Sequence, residues 1–486
     1  MSVDVIARLR AQAAVPGRVW LRGGEGPAAS YARLLAETGR FANALVALGV
    51  GRGDRVLCQL EKCPEVLTLY LACLRLGAVF LPVNPAYTRA ETGHFLTDAA
   101  PALAIVAPER QAQIPGAVTL PQLLAQAATA TAEFADAATG PGDLAAILYT
   151  SGTTGRPKGV MLSRANLTSN AEALVGLWRF TAADVLVHAL PVYHTHGLFV
   201  ATNCVLHAGA SMIFQPDFRP EAVLAALPAA TVLMGVPTYY VRLLAQARLD
   251  RAACAGMRLF ISGSAPLSPV THAAWQARTG HAILERYGMT ETGMITSNPD
   301  AGERRAGTVG MPLPGVDVRI TGPEGELAQG EAGAIEVRGP NVFGGYWRMP
   351  EVTAREFRDG WFVTGDLGAF DGEGYLRILG RAKDLVISGG LNVYPAEVEA
   401  ALDALPGVQA SAVIGVPHPD LGEAVVACVV GRVEPEALRA ALRDRMAPFK
   451  IPKRVVVLED LPRNAMGKVQ KADLRGAWAG LFAGPA

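Results

Sequence analysis

The sequence predicts an α/β protein with a large N-terminal domain of doubly wound mixed sheets and a small, mobile α+β C-terminal domain. Short apolar runs alternate with helical patterns along most of the chain. The composition is that of a globular protein, with 50% hydrophobic and 18% charged residues. The pattern changes after about Gly380, and 486 residues are enough for about three lobes in one or two domains.

The elements of the large domain are predicted from periodicity. Tyr31 to Leu48 has apolar residues at helical spacing, and Arg55 to Glu61 is typical of a strand that follows a glycine-rich turn. Further strand-like runs cover 144–149, 231–236 and 257–261, and further helical patterns cover 221–227 and 239–247. This alternation is typical of largely parallel sheets, where ligands bind in loops beyond the carboxyl ends of the strands.

The small domain is predicted from the segment that follows Gly380. There the sequence indicates a charged link, a strand, a glycine turn and a helix. The remaining hundred or so residues are enough for an independent folding unit. We therefore expect a domain over 1–380 and a second over 385–486, joined by the short segment 381–384.

Charge and targeting signals exclude several classes of partner. Lys plus Arg (44) balance Asp plus Glu (44), so we expect no nucleic acid and no acidic membrane surface as partner. The most apolar stretch, Leu198 to Phe214, is interrupted by polar residues and is too short for a membrane span. The N-terminus lacks the apolar run of a secretory signal, and the six cysteines have no metal-binding or disulfide-like spacing. We expect a cytoplasmic protein.

A phosphate-binding loop is predicted at Thr150 to Gly159, directly after a strand. Glycines let backbone N–H groups point inward, hydroxyls add donors, and Lys158 supplies positive charge. The pattern is not a Walker motif, because Gly159 follows the lysine where that motif needs Ser or Thr. The alternative is a flexible surface loop, which would explain the glycines but not the whole pattern.

Five motifs stand in one order along the chain: YTSGTTGRPKG (149–159), ERYGMTE (285–291), WFVTGDLG (361–368), GRAKDLVISGG (380–390) and PRNAMGKVQK (462–471). Together they resemble the adenylate-forming superfamily of acyl-CoA synthetases, luciferases and adenylation domains. The resemblance implies that the large domain binds ATP and an acid, and that the small domain rotates about a hinge at 381–384. ATP and a carboxylate would first give acyl-AMP and pyrophosphate, and a thiol would then displace AMP.

The resemblance also implies a role for individual residues. The residues that would bind the triphosphate are Thr150, Ser151, Gly152, Thr153, Thr154, Gly155 and Lys158. Tyr287 would stack on adenine, Thr290 would bind the α-phosphate, Glu291 would bind magnesium (Mg²⁺), Asp366 and Arg381 would bind the ribose, and Lys468 would act in adenylation. Lys383 and Asp384 would form the hinge, and Ser388, Gly389 and Gly390 would line the coenzyme A (CoA) channel. Lys158, Thr290, Glu291 and Lys468 are thus the expected catalytic residues. A carboxylate suits Mg²⁺, and a positioned cation stabilises the transition state of phosphoryl displacement. Asp366 considered alone could equally be a turn residue.

Arg286 indicates the acid. It lies beside the predicted adenine site, and burying a guanidinium without a partner costs several kcal/mol. A second carboxylate on the substrate would satisfy it with bidentate geometry, which favours a small dicarboxylic acid.

The segments PVYHTHGLF, MGVPTYYVRLL and FISGSAPL are similar to those of malonyl-CoA synthetases, whose motif arginine binds the distal carboxylate of malonate. Arg242 is a second candidate for that carboxylate, although it could equally be a surface helix residue. His196 is expected to line the pocket, and His194 could be structural.

The predicted function is therefore an ATP-dependent malonate–CoA ligase that works through malonyl-AMP, tolerates methylmalonate and uses Mg²⁺, with ATP and CoA as co-substrates. Free CoA is expected as the thiol in preference to a phosphopantetheine arm in cis, because no carrier domain follows Lys468, and a carrier in trans is the alternative. The alternatives are a ligase for another small acid and a non-catalytic nucleotide-binding module. A lysine acetyltransferase and deacetylase are further expected partners, since acetylating Lys468 would remove its charge.

Overall fold

The computed structural model describes residues 4–23, 28–150, 157–443, 445–464 and 467–482. Helices flank two mixed β-sheets in the N-terminal part, a third, antiparallel sheet follows them, and a small α+β lobe ends the chain. The predicted α/β class is confirmed. Within the described ranges, no helix is both long and apolar enough to cross a membrane.

The helices of the described chain are α1 (Val5–Ala13), α2 (Tyr31–Ala47), α3 (Pro64–Leu76), α4 (Arg89–Ala99), α5 (Leu120–Thr129), α6 (Arg164–Leu177), α7 (Thr202–Ala208), α8 (Pro220–Ala226), α9 (Pro237–Leu244), α10 (Pro269–Thr279), α11 (Pro350–Arg355), α12 (Pro395–Asp403), α13 (Pro435–Arg443) and α14 (Lys471–Trp478). Local sequence explains several starts. Thr88 and Glu91 form a reciprocal capping box at α4, and the Ser30 hydroxyl caps α2. A π-helical turn, His196–Ala201, leads into α7.

The largest sheet has nine strands. Their spatial order is β15 (Met311–Pro312), β14 (Gly293–Ser297), β13 (Leu284–Met289), β12 (Leu259–Ser262), β11 (Val232–Gly235), β9 (Val185–His188), β10 (Ser211–Phe214), β1 (Val19–Arg22) and β2 (Ala29–Ser30). The six strands from β13 to β1 are parallel, while β14, β15 and β2 pair antiparallel. The carboxyl ends of the parallel strands therefore meet along one edge.

The second sheet has six strands, in the order β6 (Val118–Thr119), β5 (Leu103–Val106), β3 (Arg55–Gln59), β4 (Val79–Pro82), β7 (Leu144–Thr150) and β8 (Lys158–Ser163). The strands from β6 to β7 are parallel, and β8 turns back antiparallel to β7. The predicted phosphate loop connects β7 to β8. Thr150 and Lys158 therefore face each other in register at its two ends.

An antiparallel sheet and the C-terminal lobe complete the fold. The antiparallel sheet contains β16 (Asp317–Gly322), β17 (Gly325–Glu326), β18 (Gly333–Arg338), β19 (Phe357–Arg358), β20 (Trp361–Phe370) and β21 (Leu376–Arg381). The sheet of the lobe contains β22 (Val386–Ser388), β23 (Leu391–Val393), β24 (Val408–His418), β25 (Gly422–Gly431) and β26 (Arg454–Leu458). A short 3-10 turn, Ala382–Asp384, joins them. Two hydrophobic clusters contain only residues from Val386 onward. The domain boundary at 380 and the hinge stay predictions.

The predicted elements agree with the structure to within a few residues. The helix predicted at 31–48 is α2, and the strands predicted at 144–149, 231–236 and 257–261 are β7, β11 and β12. The helices predicted at 221–227 and 239–247 are α8 and α9, with earlier starts because Pro220 and Pro237 occupy their first turns. The antiparallel sheet of β16 to β21 carries no helices between its early strands, so the alternation rule did not reveal it.

Candidate active site

Asp366 contacts two other residues that were predicted to bind the nucleoside, Arg381 and Tyr287. It lies on β20 directly opposite Arg381 on β21, and Arg381 Nε contacts its Oδ1 at 2.8 Å. The hydroxyl of Tyr287 on β13 donates to Asp366 Oδ2 at 2.5 Å. Burial would lower the pKa of Arg381, but the carboxylate of Asp366 raises it above its usual value. Each oxygen of Asp366 thus already has a protein partner.

Lys158 and Glu291 are brought together around Tyr346. The Tyr346 hydroxyl donates to Glu291 Oε1 at 3.1 Å, and Lys158 Nζ lies 4.5 Å from the centre of the tyrosine ring. Lys158 also forms an ion pair with Glu356 Oε1 at 2.8 Å. Burial raises the pKa of Glu291. Tyr346 and Glu356 carried no sequence motif, because their partners lie 55 and 198 residues away.

The Mg²⁺ predicted at Glu291 is compatible with this arrangement. Its buried carboxylate is a hard oxygen ligand, and Mg²⁺ usually keeps several waters and binds phosphate as well. In the part of the chain that the structure describes, no cluster of three or more His, Cys, Asp or Glu side chains could hold a metal ion alone. Thr290 lines a small cavity together with Thr195, Phe199 and Asn341. Ser151, Gly152, Thr153, Thr154 and Gly155 lie outside the described residues.

Arg286 is buried on β13, and no anionic side chain pairs with it in the part of the chain that the structure describes. It is 3% exposed, and its Nε and Nη2 atoms make no hydrogen bond within the described residues. A Cβ on Gly263 would lie only 2.4 Å from the guanidinium carbon, so the side chain lies directly on the backbone of the loop after β12. Burial lowers the pKa of Arg286 to about 9. Among the described residues, no anion stabilises the charge of this guanidinium.

His196 lies near Arg286 at the start of the π-helical turn. Its Nδ1 is 3.3 Å from the hydroxyl of Ser264, whereas its Nε2 is buried without a hydrogen-bond partner among the described residues. Burial, reinforced by the charge of Arg286, lowers the pKa of His196 well below its usual value. His196 is therefore neutral, and it lies within reach of the charge of Arg286. Ser264 has a φ of 70°, which is unfavourable for a residue other than glycine.

Arg242 and His194 are placed differently. Arg242 lies on α9 with an exposed side chain, outside the buried pair of Arg286 and His196. Its charge acts on the hydroxyl of Tyr239. His194 is more enclosed, and burial lowers its pKa to about 4. The two roles suggested for Arg242, carboxylate ligand and surface residue, both stay predictions.

The loop that carries Lys468 contacts the N-terminal part of the protein. A Cβ on Gly467 would lie 2.8 Å from Thr238 Oγ1 at the start of α9. The exposed Lys468 side chain has a lowered pKa, chiefly through desolvation and then through Arg381, while Asp366 and Asp384 act in the opposite direction. Lys468 therefore lies close enough to Arg381 and Asp366 for their charges to act on it, and its role in adenylation stays a prediction.

The predicted hinge and CoA residues lie beyond β21. Asp384 Oδ1 is 2.6 Å from Arg475 Nη1 on α14, and Lys383 is exposed. Ser388 is buried, and Gly389 and Gly390 form the tip of the β22–β23 hairpin. The backbone N–H of Gly389 donates to Leu421 of the same lobe. This structure does not bring the tip to the Arg286 pocket, and its role in the thiol channel stays a prediction.

Family comparisons agree with this architecture. The model of the AMP-binding enzyme family matches residues 9–347, and the model of its C-terminal domain matches residues 397–468. The crystal structure of ATP-bound MatB from Rhodopseudomonas palustris superposes with a TM-score of 0.96 at 53% identity, covering 99% of this chain and 100% of that one.

Curated relatives differ in their acids. A feruloyl-CoA synthase from an Amycolatopsis species is 39% identical over 463 residues, which are 93% of this chain and 94% of that protein. A malonate–CoA ligase from Arabidopsis thaliana is 40% identical over 370 residues, which are 68% of this chain and 60% of that protein. Similarity of this degree identifies the reaction class and leaves several acids open.

Proposed function

Because this chain belongs to the AMP-binding enzyme family and is an adenylate-forming CoA ligase, we propose that its acid substrate is malonate. One observation carries the proposal: Arg286 and His196 present buried polar atoms that lack partners within the described residues. An unpaired buried donor costs free energy that a matching acceptor recovers. The distal carboxylate of a short dicarboxylic acid is such an acceptor.

The chemistry of both ends of malonate supports the choice. A carboxylate accepts two parallel N–H bonds from a guanidinium, and the neutral His196 can donate a further one from Nε2 when Ser264 donates to its Nδ1. The other carboxylate would then point back toward the ribose site, where Lys468 lies. Malonate–CoA ligase activity in the Arabidopsis relative supports this reading, whereas the feruloyl-CoA synthase is equally similar in sequence.

In the proposed first half-reaction, a carboxylate oxygen of malonate attacks the α-phosphorus of ATP. A new P–O bond forms, the bond between the α-phosphorus and the bridging oxygen breaks, and pyrophosphate leaves. Lys468 would stabilise the charge on the oxygens that surround phosphorus. Asp366 and Arg381 would hold the ribose, Lys158 and Thr290 the phosphates, and Glu291 the Mg²⁺ that neutralises them.

In the proposed second half-reaction, the CoA thiol loses its proton and attacks the malonyl carbonyl carbon. A C–S bond forms, and the mixed anhydride breaks to release AMP. For this step the C-terminal lobe would rotate about Lys383 and Asp384 and bring Ser388, Gly389 and Gly390 to the pocket. Lys468 would leave the site in the same movement, so its acetylation would stop only the first step.

A pyrophosphate-release assay with a panel of acids tests the substrate. We expect malonate to be turned over best and methylmalonate to be accepted more weakly, since one methyl group changes binding by only about 1–3 kcal/mol. Acetate should be poor by at least ~100-fold, because it leaves Arg286 unpaired. Faster turnover of acetate or ferulate than of malonate would contradict the proposal, and absence of pyrophosphate release with every acid would favour a non-catalytic nucleotide-binding module.

A further inference from the structure

Lys158 is neutralised by a protein carboxylate. Its ammonium group is held at 2.8 Å by Glu356 Oε1, and it lies over the ring of Tyr346. The lysine side chain is 9% exposed and the glutamate side chain 32%. A cation so enclosed needs an anion beside it, and here Glu356 supplies that anion.

The backbone fixes Glu356 opposite Lys158. The N–H groups of Met161 and Trp347 donate to the carbonyls of Gly345 and Gly159, so the start of β8 lies beside the segment that carries Tyr346. Glu356 itself ends α11 and enters the β19–β20 hairpin. Its carbonyl accepts from the N–H of Val363 at 2.8 Å. The pair is therefore built from two separate parts of the fold.

A bound triphosphate would compete with this carboxylate. Lys158 is proposed to bind the triphosphate of ATP, and the negative oxygens that approach it would stand beside Glu356. Like charges a few ångströms apart in a half-buried site repel each other strongly. Three N–H donors on the ammonium would let Lys158 hold both anions, but the repulsion between carboxylate and phosphate disfavours that arrangement.

We propose that Glu356 is a positioning residue that takes the place of the triphosphate: it holds Lys158 in the nucleotide-free enzyme and is displaced from it when ATP binds. The inference rests on the proposed role of Lys158 in ATP binding and is independent of the acid. Two consequences follow. Glu356 keeps the lysine in place while the site is empty, and it lowers the affinity for ATP and for the pyrophosphate that must leave.

Thermodynamic linkage predicts how ATP affinity changes when the Glu356 carboxylate is removed. A contact made only in the nucleotide-free state stabilises that state alone, so removing it must tighten nucleotide binding by the same free energy. A contact kept in both states would leave the affinity unchanged. A contact that orients Lys158 toward phosphate would make ATP bind more weakly when it is lost. The sign of the change therefore separates the three possibilities.

Glu356→Gln tests the inference in the full-length enzyme with Mg²⁺ and no acid present. Calorimetric titration should give about tenfold tighter ATP binding, which corresponds to about 1.4 kcal/mol. Inorganic pyrophosphate should likewise bind more tightly. The melting temperature of the nucleotide-free variant should fall, whereas the ATP-saturated variant should melt with the wild type. Unchanged or weaker ATP binding would overturn the inference.

Two further variants isolate the cause. Glu351→Gln removes an exposed carboxylate from the same helix and should leave ATP affinity unchanged. If ATP also bound more tightly to Glu351→Gln, the displacement of Glu356 by ATP would be overturned, because loss of any nearby negative charge would then explain the result. Lys158→Met should weaken ATP binding. If it does not, the proposed role of the lysine fails together with this inference, whereas weak binding in Lys158→Met with unaltered binding in Glu356→Gln overturns the inference alone.

Discussion

The proposed nucleotide site and the proposed acid site differ in how their charges are paired. At the proposed nucleotide site, Asp366 is paired with Arg381 and Tyr287, and Lys158 is paired with Glu356. At the proposed acid site, Arg286 is buried with two nitrogens that have no partner within the described residues. The protein itself neutralises the charges of the first site, whereas a ligand would have to neutralise the charge of the second.

This difference indicates that, under the proposed roles, the paired charges maintain the shape of the nucleotide site, whereas the unpaired charge selects the acid. Under these roles, the paired charges would keep the nucleotide site in shape without ATP, and ATP would have to replace some of those pairs. The unpaired guanidinium would lower the stability of the free enzyme and would penalise every acid that lacks a second carboxylate. We therefore expect substitutions at the proposed acid site to change selectivity and substitutions at the proposed nucleotide site to change affinity or rate.

The largest effect is expected for Arg286→Leu. Removing the guanidinium should lower kcat/KM for malonate by about 1000-fold, since losing one partner of a buried charge pair costs about 2–5 kcal/mol. ATP affinity should change less than twofold, and the free enzyme should melt at a higher temperature because an unpaired buried charge is gone. Steady-state kinetics, calorimetry and a melting curve measure the three effects. Unaltered malonate kinetics would contradict the proposed role of Arg286 in selecting the acid.

A second large effect is expected for Lys468→Ala. Formation of malonyl-AMP should fall by at least ~100-fold, because a cation aimed at developing charge is lost. Thioester formation from supplied malonyl-AMP should persist, as measured by chromatography of malonyl-CoA. Lys471→Ala is the matched control, since that lysine pairs with Glu399 inside the C-terminal lobe. Equal loss in both half-reactions would argue against a rotating lobe.

A smaller effect is expected at Ser264. Its left-handed backbone costs about 1 kcal/mol relative to glycine, so Ser264→Gly should stabilise the fold. It should also raise KM for malonate by about fivefold, because the hydroxyl no longer orients His196. Ala100→Gly relieves a similar backbone on the exposed end of α4 and should leave KM unchanged. A purely structural serine would show the gain in stability without the change in KM.

A pH dependence of stability is expected at Glu285. Burial raises the pKa of this carboxyl from 4.5 to about 8. Between those values the folded state holds a proton that the unfolded state has lost, so this contribution to stability falls as pH rises. Melting temperatures from pH 5 to pH 8 should therefore decline less in Glu285→Gln than in the wild type. A parallel decline would assign the dependence to other groups.

Local sequence was sufficient for the elements that periodicity predicted in the large domain, but not for the antiparallel sheet of β16 to β21. Strand β7 follows from an apolar run, which is a local signal. Arg286, Tyr287, Glu291 and Asp366 were identified from motifs, and the structure brings Tyr287 and Asp366 into contact.

The partners of these residues were not predictable. Glu356 and Ser264 contact Lys158 and His196 across 198 and 68 positions, and such contacts leave no periodic pattern in one sequence. The pairing of Tyr287 with Asp366, 79 residues apart, was missed for the same reason. For Arg242 the sequence left two roles open, carboxylate ligand and surface residue; its side chain is exposed on helix α9, and both roles stay predictions.

The close approach of Arg286 to Gly263 has a consequence for redesign. A single added methyl at position 263 would collide with the guanidinium, although that position carries no functional group of its own. A larger residue at position 263 would thus change the acid selectivity of this enzyme by displacing the Arg286 side chain, without any substitution of the arginine itself. Libraries that aim at uncharged acids would do well to vary this glycine first.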